Sequence, residues 1–139
     1  MKLGISEILK KASDMTDDAS KVNWLRQNSS TTLHMILRGA YDPTVKWLLP
    51  EGAPPYKVND LVDQQHRLFT EARKLYLFVE GGNPSLKQIR REQLYVELLE
   101  ALDPEDAKLL LSIKDKKLPY PGVTLDIVNQ SFPGLIPNV

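Results

Sequence analysis

The sequence predicts an all-α fold, a compact single-domain bundle of about seven helices, and three observations carry that expectation. Apolar residues recur at three- and four-residue spacing along most of the chain. Capping residues stand ahead of those windows, the clearest being Asp103 followed by Pro104. A carboxylate there accepts from free N–H groups, and proline costs nothing at the first helical position. No stretch alternates convincingly as a strand. Val123 to Val128 contains β-branched residues, but the Thr124 cap and the spacing favour a helix.

In chain order, residues 1–49 form short helices, 50–58 a proline-rich loop, and 59–139 longer helices with a short C-terminal one. Ile5 to Met15 is the first helix, with Ser6 as a cap and Ile8, Leu9, Ala12 and Met15 on one face. Thr16, Asp17 and Asp18 open a second through Gln27, burying Ala19, Val22 and either Trp24 or Leu25. Thr31 or Thr32 begins a third, carrying Leu33, Ile36, Leu37 and Ala40 until Asp42-Pro43 breaks it. Asn59 to Val79 is expected as a long helix capped by Asn59 or Asp60, its apolar face being Leu61, Val62, Leu68, Phe69, Ala72, Leu75, Tyr76 and Val79. Gly81-Gly82 ends it.

A second long helix, Pro84 to Leu102, has apolar residues on more than one stripe: Leu86, Ile89, Leu94, Val96, Leu98, Leu99 and Leu102. That breadth predicts the central helix of the bundle. After Asp103-Pro104, Glu105 and Asp106 favour the next helix's positive end. Leu109, Leu110, Ile113 and Lys117 follow, until Pro119, Pro121 and the turn residue Gly122. Thr124 then caps a short helix to Phe132, with Leu125, Val128 and Phe132 on one side.

Composition narrows the function. With 18 basic against 18 acidic residues, the chain lacks the overall electrostatic footprint of a strong nucleic-acid binder. It has no cysteine, which removes disulfides and thiolate chemistry. Apolar runs fall well short of the ~20 residues of a membrane span, and the amphipathic N-terminus does not read as a signal peptide, so a cytoplasmic protein is expected. His34 and His66 sit apart without metal-ligand spacing, no nucleophile motif is present, and Gly81-Gly82-Asn83 lacks the lysine of a phosphate loop. No catalytic residue, metal or cofactor is expected.

The run Gly122 to Pro137, G-V-T-L-D-I-V-N-Q-S-F-P-G-L-I-P, resembles the end of the helical DNA-binding domain of ATP-dependent DNA ligases such as those of T-even phages. Gly122, Asn129, Phe132 and the segment Pro133 to Pro137 carry the match; Gly82-Asn83 and the early helices add looser likeness. The family's adenylated lysine belongs to a K-x-D-G motif, and this chain offers only Lys114-Asp115-Lys116. The resemblance therefore implies a stand-alone, phage-type accessory module without its enzyme, tracking the duplex backbone through residues such as Asn129.

Two sets of residues are candidate binding groups. Lys87, Arg90 and Arg91 open the Pro84–Leu102 helix while Glu97 and Glu100 close it, against the helix dipole. They form either a basic patch for a partner or internal pairs with Glu92 and the facing helix. Lys114, Lys116 and Lys117 would extend such a patch, although Asp103, Glu105, Asp106 and Asp115 stand beside them. The second set is Pro54, Pro55 and Tyr56, in a loop stiffened toward polyproline geometry. Such a loop docks a partner with little entropy loss or packs Tyr56 on its own domain. The expected function is a protein-binding regulator of transcription or replication machinery, host RNA polymerase first and sliding clamp second. A module for duplex or nicked DNA is the other class.

Overall fold

The packing is built around helix α6 (Pro104–Lys114), which contacts α1 (Ile5–Asp14), α3 (Thr31–Tyr41) and α5 (Gln88–Ala101). It buries Ala107, Leu109, Leu110 and Ile113 against them. The computed structural model describes residues 3–61 and 64–137. Among these lie seven α-helices, one 3-10 helix and no strand, with a lone antiparallel bridge between Trp47 and Val79. The remaining helices are α2 (Asp18–Gln27), α4 (Arg67–Glu71) and α7 (Leu125–Ser131), and the 3-10 helix is Ala72–Phe78.

Three helix starts follow caps expected from the sequence, Asp17, Asp103 and Thr124, and Ser30 caps a fourth. Asp17 Oδ2 accepts from Ser20 N–H at 3.0 Å, Ser30 Oγ from Leu33 N–H at 3.0 Å, Asp103 Oδ2 from Glu105 N–H at 3.0 Å and Thr124 Oγ1 from Ile127 N–H at 3.2 Å. Helix α1 differs from expectation. Gly4 is its cap, with its N–H on Glu7 Oε1 at 2.9 Å, while Ser6 is buried inside the helix. In α2 only Leu25 is buried; Ala19 is exposed and Val22 half-buried. Trp24 lies half-buried, its Nε1 donating to Ile8 O at 2.9 Å.

The expected helix from Asn59 to Val79 is not formed as such; Val62, assigned to its apolar face, lies outside the described residues. Asn59 does not cap. Its Oδ1 accepts from Leu61 N–H at 3.0 Å and its Nδ2 donates to Ala101 O at 3.2 Å, tying an extended segment to the end of α5. Among the described residues the next helix begins at Arg67, and from Ala72 the chain tightens to three residues per turn. Ala72, Leu75 and Phe78 are the buried positions of that segment, spaced by three. A period of 3.6 places Tyr76 on the apolar face instead, and Tyr76 is 52% exposed.

Helix α5 starts at Gln88 rather than Pro84 and is not the centre of the bundle. One face buries Tyr95, Leu98 and Leu99, whereas Ile89 is 70% exposed. The central position belongs to α6. Its helix ends at Lys114, ahead of Pro119, because Lys116 adopts a left-handed conformation with φ of 61°. Gly122 is required for approach as well as for a turn. Its N–H donates to Ser13 Oγ at 2.8 Å, and a Cβ there would lie 2.2 Å from Ser13 O. In α7 the buried residues are Ile127, Val128 and Ser131, with Leu125 and Phe132 half-buried; Ile136 closes the core.

Asp106 joins α6 to α1. Its Oδ1 accepts from Ser6 N–H at 3.1 Å, and its fully buried Oδ2 has no partner among the described residues. Burial pushes this carboxyl up to about 6, with Asp103 and Glu7 adding to the shift against the Ser6 hydrogen bonds. The folded chain therefore holds this proton more tightly than the unfolded chain does. The contribution of Asp106 to stability is greatest below about pH 4 and declines as pH rises through about 6. Asp106→Asn is predicted to raise stability at pH 7 by about 1–2 kcal/mol, an advantage that shrinks toward pH 4.5. Urea midpoints at the two pH values measure it, and an advantage that did not change with pH would refute the assignment.

Candidate docking groove

The basic residues singled out in the sequence do not form one open patch. Arg91 is buried in the first turn of α5, where its Nε donates to Leu77 O at 2.9 Å and its Nη2 to Asn83 O and Leu86 O, both at 3.3 Å. Its Nη1 donates to Gln88 Oε1. A guanidinium has five N–H groups, and here they gather the carbonyls of the loop from the 3-10 helix to α5. This is why a cation stands at the unfavourable end of the helix: it serves the preceding loop. The expected pairing of Arg91 with Glu92 is absent, and Glu92 accepts from Gln88 Nε2 instead, at 3.1 Å.

Lys114 and Lys116 are committed in the same way. Lys114 is buried, with Nζ on Pro50 O and Asp115 Oδ1, each at 2.9 Å. Lys116 Nζ donates to Gly39 O at 3.0 Å and Asp42 O at 2.7 Å, closing the C-terminal end of α3. Burial lowers its pKa, with Asp42 opposing. Lys114 is closed off from a phosphate, whereas Lys116 is exposed but already holds two carbonyls. Lys87, Arg90 and Lys117 are exposed, and Arg90 lies 3.5 Å from Glu97 Oε2, two turns along its own helix. Asn129 is half-buried on α7.

The clearest concave feature lies elsewhere, between the proline strap and α5. A groove of about 760 Å³ is bounded on one side by Leu49 to Pro54 and on the other by Ile89, Gln93 and Val96, with Tyr95 and Lys114 at its base. Its floor is mainly hydrocarbon and its rim carries Glu51, Arg90, Glu92 and Glu97. The strap is pinned at several points. Leu48 N–H donates to Phe78 O at 2.8 Å, and Gln88 Nε2 donates to Leu48 O at 2.7 Å. Gly52 N–H reaches Asp115 Oδ2 at 3.2 Å, and Lys57 N–H reaches Glu100 Oε2 at 2.8 Å. These bonds hold the groove open before anything binds.

The predicted docking residues divide. Pro54 lines the groove, Pro55 is exposed outside it, and Tyr56 is half-buried against the core. Ile89, Gln93 and Val96 went unmarked as binding residues. Their spacing of four and three was legible, but α5 read as apolar nearly all round, which disguised an exposed stripe as core. Among the described residues no group of three or more His, Asp or Glu could hold a metal, and no helix is long and apolar enough to cross a membrane. Burial raises the Tyr95 hydroxyl well above its ordinary range; it donates to Leu110 O at 2.9 Å, a structural contact at the foot of the groove.

Residues 8–120 match a sequence family described as a family of unknown function, DUF6433, and the chain belongs to that family. No curated protein matches it.

Arg91→Ala removes the guanidinium from Leu77 O and Leu86 O, leaving Asn83 O only its bond from Leu86 N–H, and is predicted to cost about 2–4 kcal/mol, whereas Lys87→Ala and Arg90→Ala each stay within about 0.5 kcal/mol. Urea unfolding of the three variants checks this. An Arg91→Ala protein as stable as the parent would show that the guanidinium is not structural.

Proposed function

We propose that this member of the DUF6433 family is a non-catalytic accessory protein that docks another protein in the groove between the Leu49–Pro54 strap and α5. The single observation behind this is the groove itself: preformed, apolar within, and bearing an isoleucine that is 70% exposed. Large apolar side chains left open in a concave site mark recognition surfaces. The partner class proposed is transcription or replication machinery, host RNA polymerase first and the sliding clamp second. The ligase-like run Gly122 to Pro137 supports a phage-type protein acting in the cytoplasm of a bacterial host.

The same resemblance favours a second function, binding of duplex or nicked DNA through Lys87, Arg90, Lys117 and Asn129. It ranks lower because Arg91, Lys114 and Lys116 donate to internal carbonyls, which breaks up the basic patch that would displace counterions from a duplex.

Titration of labelled protein with purified core RNA polymerase and with purified sliding clamp, beside a labelled nicked duplex at two salt concentrations, separates the two. Docking predicts saturable binding to one of the proteins, weakened about tenfold or more by Ile89→Asp and little by Lys87→Ala. Tight binding to the duplex that collapses with salt and weakens in both Lys87→Ala and Arg90→Ala would install DNA binding in its place.

A further inference from the structure

We infer that the groove takes a basic amphipathic segment: about two helical turns, large apolar side chains one turn apart, flanked by lysine or arginine. This rests on the docking function proposed above and adds the chemistry of the partner. Length sets the first limit. From Ile89 to Glu97 the helix advances eight residues, so at a rise of ~1.5 Å the open face of α5 is about 12 Å long, the length of two turns of a second helix. Ile89, Gln93 and Val96 follow one another along that face, and Leu49, Pro50, Ala53 and Pro54 oppose them. An amphipathic helix laid into such a groove is anchored by apolar residues at matching intervals.

Charge sets the second limit. The rim carries three carboxylates, Glu51, Glu92 and Glu97, against one cation, Arg90, with Lys114 at the base. Lys114 is buried and neutralised by Asp115 at 2.9 Å, and Arg90 is shared with Glu97 at 3.5 Å. Among the described residues no lysine or arginine is paired with Glu51 or Glu92. An incoming segment therefore meets an acidic rim around an apolar floor. Lysine or arginine at its edges complements that rim, whereas acidic flanks or a phosphate backbone are repelled. The stiff, already pinned strap leaves little ordering to be done on binding.

The test uses the full chain and two fluorescein-labelled synthetic helical peptides, each with leucines at i and i+4, one flanked by lysines and the other by glutamates. Anisotropy is expected to show the lysine peptide binding at least about tenfold more tightly, a margin that narrows with added salt. Ile89→Asp is expected to weaken the lysine peptide by about tenfold or more, and Glu51→Lys combined with Glu92→Lys to reverse the preference. These side chains lie at the surface or rim, and circular dichroism of each variant verifies the fold. Equal binding of both peptides, lost in Ile89→Asp, would overturn the charge inference and leave the groove as a protein-docking face. Binding of neither peptide would also overturn it; the polymerase and clamp titrations of Ile89→Asp then decide the docking function separately.

Discussion

Burial of α6 is the constraint from which much of the rest follows. A helix touching three others brings its polar side chains against their backbones, and these groups become hydrogen-bond partners within the fold. At the N-terminal end Asp103 caps, and Asp106 reaches across to the Ser6 amide of α1. At the C-terminal end Lys114 reaches Pro50, and the left-handed Lys116 reaches the last carbonyls of α3. These bonds hold α1, α3 and the strap at fixed positions around one apolar rod. They also leave an unpartnered carboxyl oxygen on Asp106, so the central joint of the fold carries a destabilising charge at neutral pH.

Internal use of cations extends beyond α6. Arg91 gathers the loop before α5, and Arg26 donates to Ser131 O at 3.0 Å and Gln130 O at 2.8 Å, holding the end of α7 against α2. Lys21 donates to Gly122 O at 2.8 Å. Carbonyl groups, rather than carboxylates, are the principal partners of these cations. Ion pairs between exposed side chains add little stability, whereas charge-assisted bonds to backbone oxygens satisfy groups that would otherwise be stranded at helix ends. In a chain of zero net charge, basic residues such as Arg91 and Lys114 are thus withdrawn from the surface to serve the backbone.

The groove is a by-product of the same stitching. The strap is tied to the 3-10 helix, α5 and α6 at its ends and middle, while its prolines keep it from collapsing onto α5. Between the ties, the outer stripe of α5 has no intramolecular cover. Ile89 on that stripe is left 70% exposed and adds little to the core.

By itself the sequence determined the all-helical class and three side-chain caps, at Asp17, Asp103 and Thr124, because capping depends on a few neighbouring residues. It also located the cores of α1, α3 and α6, whose apolar spacing is regular. Only the tertiary structure decided the remainder. Asn59 to Leu61 is not helical because Asn59 and Lys57 find acceptors on α5 that are distant in sequence. Ala72 to Phe78 winds three residues to the turn because the surrounding core accepts Ala72, Leu75 and Phe78 on that period. The fates of Arg91, Lys114 and Lys116 were equally hidden, since a lysine in a sequence looks the same whether it faces water or a stranded carbonyl. The groove, too, is a relation between a strap and a helix about forty residues apart, and only the folded chain brings those surfaces together.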